Sequence, residues 1–454
     1  MLTSAVPASA GRTRSPLSPS NRPSPANHFS PSSHPGPSNR PRAFGAPNRP
    51  SSRGHVQIVP PDLRVVDTPV AAVLRVACER GPIARDAAAK ATGLSVATVN
   101  RQVTALLGDG LLRERADLTA SGAVGRPRVP FEVNHEPYLT VGIHIGAVVT
   151  GIVAVDLRGR VLGAVEIPTP ATDQAAALAQ IARSARQFAS RWHRRRALWV
   201  GVAIGGRVDA ATGRADHPRL GWREAPVGEI VGEGLGLPVS VAAHVEAMAA
   251  SELLLASQRP GAAGTAGTSL YFYARETAGV AVTIDGRVHT PSSGPGSIVH
   301  LPTGSSARCS CGALGCLEAT VSDRAVITAA TAAGILSGTD ERPSVAAVYR
   351  AAQSGSIPAH ELLVERAQVL GRTVAVLRDL FNPDRVILGG QAFTEYPAGI
   401  PHVAEAFAQA STLARKDIRI TGFGNRVQEH AAAVVSLSSL YSDPLTSIRR
   451  ATSR

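Results

Sequence analysis

The chain has 454 residues, of which 44% are apolar, 4% aromatic and 18% charged, and it carries a net charge of +13. This length accommodates two to four domains with aliphatic, alanine-rich cores, and the composition excludes an acidic disordered scaffold. No apolar run approaches the ~20 residues of a membrane-spanning helix, the N-terminus lacks the apolar core of a secretory signal, and there are only four cysteines, so the expected location is a reducing cytoplasm.

Residues 1–60 hold seven arginines, no Asp, Glu or Lys, and twelve of the 33 prolines. So little aliphatic surface cannot offset the entropy of ordering, which predicts a disordered basic tail, one that an early start codon would lengthen. Such a tail is either passive or an arm that tracks DNA phosphates. Only Lys90 and Lys416 among the 47 basic residues are lysine, a skew that reads as genomic base composition rather than chosen chemistry.

The texture changes at Leu63. Val70, Val73, Leu74 and Ala77 fall on one face of a helix that ends at Gly81-Pro82. Ile83, Ala87 and Ala91 mark a second helix stopped at Gly93. Ser95 is the expected N-cap of a third, with Val96, Val99, Val103, Leu106 and Leu107 on its buried face. A strand-like segment from Leu111 to Arg115, a glycine-containing loop and GRPRVPFEVN at 125–134 complete the pattern of a winged helix-turn-helix over 63–134. On the outer face of the third helix stand Ala97, Thr98, Arg101 and Ala105, with Gln102 and Thr104 beside them. Small residues allow close entry into a DNA major groove, while Arg and Gln offer hydrogen bonds to base edges. Arg126 and Arg128 would sit at the wing, against a minor groove. Ser95, Thr98, Arg101, Gln102, Arg126 and Arg128 are thus the candidate contacts to a double-stranded operator. The alternative is a protein-contact module with a solvated basic face.

From Leu139 glycine-punctuated strand patterns alternate with alanine-rich helices. Three strands are expected over 139–168, turning at Arg158-Gly159, followed by a helix over about 174–192 and a buried strand from Ala197 to Ala203. A second cycle opens at Thr268 and turns at Asp285-Gly286. Helices over about 322–334, 344–354 and 358–380 follow, then a strand from Arg385 to Leu388. Two β-rich openings, each followed by helices, predict two related α/β lobes, about 139–265 and 266–440, with a cleft between them.

The densest chemistry is CSCGALGCLE at 309–318. Cys309, Cys311 and Cys316 lie within eight residues, and His300 precedes them by nine. Three sulfurs and an imidazole complete a closed tetrahedral zinc shell, and the glycines at 312 and 315 let the backbone fold tightly enough to form it. A strained Cys-x-Cys disulfide and unliganded thiols are the alternatives. Cys78, on the first helix, reads as a small core hydrophobe.

Taken together, His300 through Glu318, GRPRVPFEVN, GVAIGGRVDAATG (201–213), LGW (220–222) and FNPDRVILGG (381–390) resemble the ROK family of repressors, open reading frames and kinases. The resemblance covers about 63–440. It implies the two-lobed actin-like, ribonuclease-H-like ATPase fold, preceded in the family's repressors by a winged helix-turn-helix. It also implies a homodimer or tetramer reading a pseudo-palindromic operator and, usually, a sugar effector. The chain departs from the kinase pattern at two decisive places. His144-Ile145-Gly146-Ala147-Val148 stands where the phosphate loop has Asp-x-Gly-Gly-Thr. Ala242-Ala243-His244-Val245-Glu246 stands where the kinases carry the general base in Glu-Asn-Asp-Ala-Asn. Ser297 likewise replaces a sugar-binding Glu. The expectation is a transcriptional regulator, a repressor, with a catalytically silent domain. His244, Glu246, His300 and Glu318 would line an effector pocket for a small polar, sugar-like molecule. A sugar kinase with His244 as base and a regulator released by a protein partner are the rival readings.

Overall fold

The computed structural model describes residues 56–118, 129–255, 266–291, 294, 296–336, 343–413 and 417–453. The expected tail up to residue 55 and the loop carrying Arg126 and Arg128 lie outside these residues.

Three helices open the described chain: α1 (Pro69–Arg80), α2 (Arg85–Thr92) and α3 (Val96–Gly108). Pro69 takes the first helical position of α1, where its missing N–H costs nothing, and Val73, Leu74, Val76 and Ala77 are buried. Gly93, at φ +69°, ends α2 in the left-handed region that glycine enters without strain. The Ser95 hydroxyl accepts from Thr98 N and caps α3, whose Val99, Val103 and Leu106 are fully buried. Val96, expected on that face, is instead 51% exposed at the first turn. Strands β1 (Leu112–Glu114) and β2 (Phe131–Val133) pair antiparallel. Ile83, expected inside the second helix, lies before it and exchanges two 2.9 Å backbone hydrogen bonds with Phe131, extending this small sheet.

The first lobe is built on β3 (Tyr138–Ile145), β4 (Val149–Val155), β5 (Val161–Pro168), β6 (Arg196–Ile204) and β10 (Val239–Ala243). Helices α4 (Gln174–Ala189), α5 (Val227–Leu235) and α6 (His244–Leu254) accompany it. A small sheet of β7 (Arg207–Asp209), β8 (Arg214–His217) and β9 (Trp222–Ala225) intervenes after β6, and periodicity did not point to it. The second lobe uses β11 (Thr268–Ala274), β12 (Ala278–Ile284), β13 (Arg287–Val288), β14 (Arg385–Gly389) and β15 (Asp417–Ile420). Its helices are α7 (Leu317–Val321), α8 (Asp323–Ala332), α9 (Val345–Gln353), α10 (Ile357–Phe381), α11 (Gln391–Thr394) and α12 (Ile400–Ala410). The sheets run β5-β4-β3-β6-β10 and β13-β12-β11-β14-β15. In each, an antiparallel trio is extended by two parallel strands, so the lobes share one topology.

The chain then returns to the first lobe. Helix α13 (Val427–Ser442) lies against β3 and β6, so close that a Cβ at Gly142 would sit 2.6 Å from Ala432 C and one at Gly201 2.1 Å from Ser436 N. Only glycine permits this backbone approach, and Thr140 Oγ1 bonds Ser436 Oγ across it at 2.7 Å. Helix α14 (Pro444–Thr452), beyond the expected boundary near 440, ties the N-terminal helices to this lobe. Arg449 Nε donates to Asp109 Oδ2 at 3.0 Å, just past α3, and Arg196 Nη2 donates to Thr452 O at 3.2 Å.

Residues 56–60, grouped with the tail by composition, are paired instead. Val239 N donates to Gln57 O and Val59 N to Val239 O, which adds an edge segment to β10. A few residues on, Val288 N donates to Leu63 O and Val65 N to Gly286 O at the edge of the second sheet. The 56–66 segment is therefore a strap pinned to both lobes and running into α1.

Candidate functional site

The loop from β13 to α7 gathers the thiols. Its own turns do this: Gly312 N donates to Cys309 O, Cys309 N to Ala313 O and Thr303 N to Gly315 O, while Pro302 bridges Cys316. Gly315, at φ +71°, has no room for a side chain, since a Cβ there would meet Ser305 O at 2.4 Å. As a result one ligand atom from each of His300, Cys309, Cys311 and Cys316 lies within 4.8 Å of the others. Cys309 Sγ is 3.7 Å from His300 Nδ1, and Cys311 Sγ is 3.6 Å from Cys316 Sγ; all four cysteines of the chain are free thiols. The Cys311 backbone amide draws the Cys309 thiol down to about 7, while burial and the neighbouring thiols push Cys316 up to about 12. Sulfurs this close cannot all carry charge without a cation between them. The donor set fits a metal ion with all four positions filled by protein, a closed site rather than one that keeps a place for substrate.

A second cluster forms where the lobes meet. His144 is the penultimate residue of β3, His217 ends β8 and His244 opens α6, all from the first lobe; Tyr273 of β11 faces them from the second. The His144 and His244 rings stack at 5.7 Å and 18°, and Tyr273 meets His244 edge-on at 5.6 Å. Gly205 allows the approach: a Cβ there would lie 3.2 Å from His217 Nε2 and 3.7 Å from His244 Cε1. Burial pushes His217 and His244 down to about 4, and burial followed by the neighbouring His244 holds His144 well below the usual range. All three imidazoles are neutral at pH 7. His144 Nε2 is buried with no hydrogen-bond partner among the described residues. Burial also raises the Glu246 carboxyl to about 7. Neutral imidazoles are weak ligands for Mg²⁺, and their low basicity suits them poorly to the carboxylate roles of phosphoryl transfer.

Glu318 lines a cavity of about 810 Å³ beside the thiol loop, together with Cys309, Arg219, Arg308 and Arg324. Of the four residues expected to line one pocket, His300 stands among the thiols, His244 opens α6 in the histidine cluster, Glu246 is buried two residues further along α6, and Glu318 lines the cavity beside the loop.

On α3, Arg101 is exposed while Thr98 and Gln102 are half-buried. Ser95 Oγ is engaged with both Thr98 N (3.2 Å) and Thr98 Oγ1 (2.9 Å), so both hydroxyls serve the helix cap. One site escaped sequence reasoning. Glu132 of β2 is buried and accepts from Arg113 Nε (2.8 Å), Arg115 Nη1 (3.0 Å) and Arg158 Nη2 (2.7 Å), the last from the β4–β5 turn. Burial raises its pKa, but the three guanidiniums outweigh that and hold it at about 2. The cluster bolts the small sheet to the first lobe. The only hint in the sequence was a Glu in an otherwise apolar strand.

Two lobes of one repeated topology, a closed His-Cys₃ loop and a preceding helical module define a class, and the matching segment agrees. The chain belongs to the ROK family, whose pattern matches residues 140–428. Among its relatives is Transcriptional regulator Rv0485 of Mycobacterium tuberculosis (strain ATCC 25618 / H37Rv). It is 56% identical over 405 residues, covering 88% of this chain and 91% of the relative. The DNA-binding transcriptional dual regulator NagC of Escherichia coli (strain K12) is 26% identical over 333 residues, 71% of this chain and 80% of NagC. A crystal structure of a ROK family transcriptional regulator, a homologue of the E. coli MLC protein, superposes with a TM-score of 0.69 at 24% identity. It covers 84% of this chain and 98% of its own, and shares the two-lobed actin-like fold.

Proposed function

We propose that this chain is a DNA-binding transcriptional regulator, a repressor, whose ROK domain senses an effector and does not phosphorylate sugar. The observation that carries the reading is α3. It belongs to a helical module ahead of the family-matched segment, and it turns Ala97, Arg101 and Thr104 outward. The name of the 56%-identical relative supports it. In this reading the α1–α3 and β1–β2 module is a winged helix-turn-helix. Arg101 and Gln102 reach base edges, Ser95 and Thr98 lie at the phosphates near the helix start, and Arg126 and Arg128 enter the minor groove from the wing. A homodimer or tetramer acting in the cytoplasm would present two such helices to a pseudo-palindromic operator.

The His-Cys₃ loop holds zinc in this reading. Two sulfurs each about 2.3 Å from a zinc at the tetrahedral angle stand about 3.8 Å apart, close to the 3.6 Å between Cys311 and Cys316. Zinc there fixes the loop that forms one wall of the 810 Å³ cavity, and His244, Glu246, His300 and Glu318 would line the site of a small polar, sugar-like effector. Catalytic silence follows from His144 and His244 together, because neither supplies the anion that magnesium and the attacking hydroxyl require.

The test is salt-dependent binding of the purified protein to genomic and random duplexes. Arg101→Ala should lower discrimination for the operator by about 1–3 kcal/mol. Equal losses on both duplexes would reduce Arg101 to a phosphate contact. ATP turnover with hexoses and amino sugars should remain at background, and turnover abolished by His244→Ala would restore the kinase reading.

A further inference from the structure

We propose a second ligand site, separate from the cleft and the metal loop. It is a cavity of about 180 Å³ beneath α1 that takes one compact, uncharged, apolar molecule about the size of an aromatic ring. Val66 of the strap, Leu74 and Cys78 of α1, Leu253 and Leu254 of α6 and Tyr441 of α13 contribute to its lining. An apolar cavity of about 150 Å³ suffices to hold benzene.

The class of ligand follows from where the polar atoms point. Cys78 Sγ lies 3.7 Å from Leu157 O, and the Tyr441 hydroxyl donates to the same carbonyl at 3.1 Å. Burial pushes the Cys78 thiol up to about 12, so it brings no charge. Arg75 donates to Val66 O (2.8 Å) and Asp67 Oδ1 (2.9 Å) and Arg64 Nε to Asp62 Oδ1 (2.8 Å), which matches those charges to one another and leaves Glu79 as the one carboxylate of the lining outside these pairs. Glu79 repels a phosphate, and with the other polar atoms of the lining engaged a sugar would give up more hydrogen bonds to water than it recovers, whereas an apolar ring gains contact with the leucine side chains.

The position gives the site its consequence. Val66 belongs to the segment that leaves the two lobes and enters α1, and the Arg75 contacts clasp that segment to the helix. A guest in the cavity touches the strap, the first helix of the N-terminal module and two helices of the large domain at once. Any difference in its fit between two placements of α1 therefore biases that placement. This coupling rests on the DNA-binding reading; the binding itself does not.

The full-length protein titrated with fluorobenzene and followed by ¹⁹F NMR should show saturable one-to-one binding. In the same sample the methyl signals of Leu74, Leu253 and Leu254 should move. No saturation, or shifts confined to other methyls, would overturn the site. Leu74→Phe and Leu254→Trp each fill the cavity from a different wall, and a variant that melts like the parent should bind at least tenfold more weakly. Undiminished binding by such a variant would also overturn it. Displacement of the probe by glucose or inorganic phosphate would overturn the apolar class. Saturating probe should change operator affinity at least threefold. An unchanged affinity would overturn the coupling alone, and a protein that binds probe but no DNA would refute the regulator reading while leaving the site standing.

Discussion

The thiol loop and the histidine cluster use similar residues to opposite ends. In the loop, four residues drawn from 17 consecutive positions bring one donor atom each to within 4.8 Å of the others. In the cleft, His144 and His244 stack with His217 nearby, and among the described residues the three imidazoles do not form a converging metal-ligand group. The loop accumulates potential negative charge that a cation must balance. The cleft removes charge instead, because burial keeps its imidazoles neutral. Residue type therefore sets what a cluster can bind, but the convergence of the donor atoms and access to water decide whether it binds at all.

The strongest way to break this contrast is to remove the metal that the loop is proposed to hold. Chelator treatment or Cys311→Ser should cost the protein one zinc per chain and lower its melting temperature by on the order of 10 °C, because the unfolded chain does not present the assembled site. Metal analysis beside a thermal melt checks it; a metal-free protein with an unchanged melt would make the loop resemble the cleft.

Glu132 extends the comparison to a charged cluster assembled by tertiary contacts. Glu132→Gln leaves three guanidiniums facing a neutral amide and should destabilise the protein by about 3 kcal/mol in urea unfolding. Its folded pKa of about 2 lies below the ordinary 4.5. Its contribution is therefore complete above pH 4.5 and is lost as the pH falls toward 2, and the substitution should remove that part of the acid sensitivity.

The cleft is sharpened by a milder titration. His244 sits at about 4 when folded, below its ordinary 6.5, so the unfolded chain takes up the proton first as the pH drops. Stability from this group is complete above pH 6.5 and declines as the pH falls toward 4. His244→Gln should flatten the slope there by up to one proton, about 1.4 kcal/mol per pH unit. Urea midpoints at pH 5 and 7.5 measure it, and an unchanged slope would mean the ring is solvated. The smallest effect is expected on α3: Ser95→Ala removes the cap and should cost about 1 kcal/mol in the same assay.

The sequence was most legible where structure is local. The caps and stops of the first three helices, the turns at Arg158-Gly159 and Asp285-Gly286, and the ligand spacing of the thiol loop all depend on residues within a turn or two of each other. Ile83 and Val96 were misplaced because periodicity sees a face but not what covers it: one bridges Phe131, and the other stands exposed at a helix start. The pairing of residues 56–66 was hidden because their partners, Val239 and the 286–288 turn, lie more than 170 residues away.

By itself, then, the sequence determined the succession of α and β segments, the family and the four converging residues of the thiol loop, since each is written in short-range pattern and spacing. Tertiary structure alone decided two things. It buried Glu132 among three arginines, and it laid a strap across both lobes to the first helix. Each depends on which distant backbones approach one another, and that is set by close contacts such as Gly142 and Gly201 against α13, which no local pattern encodes.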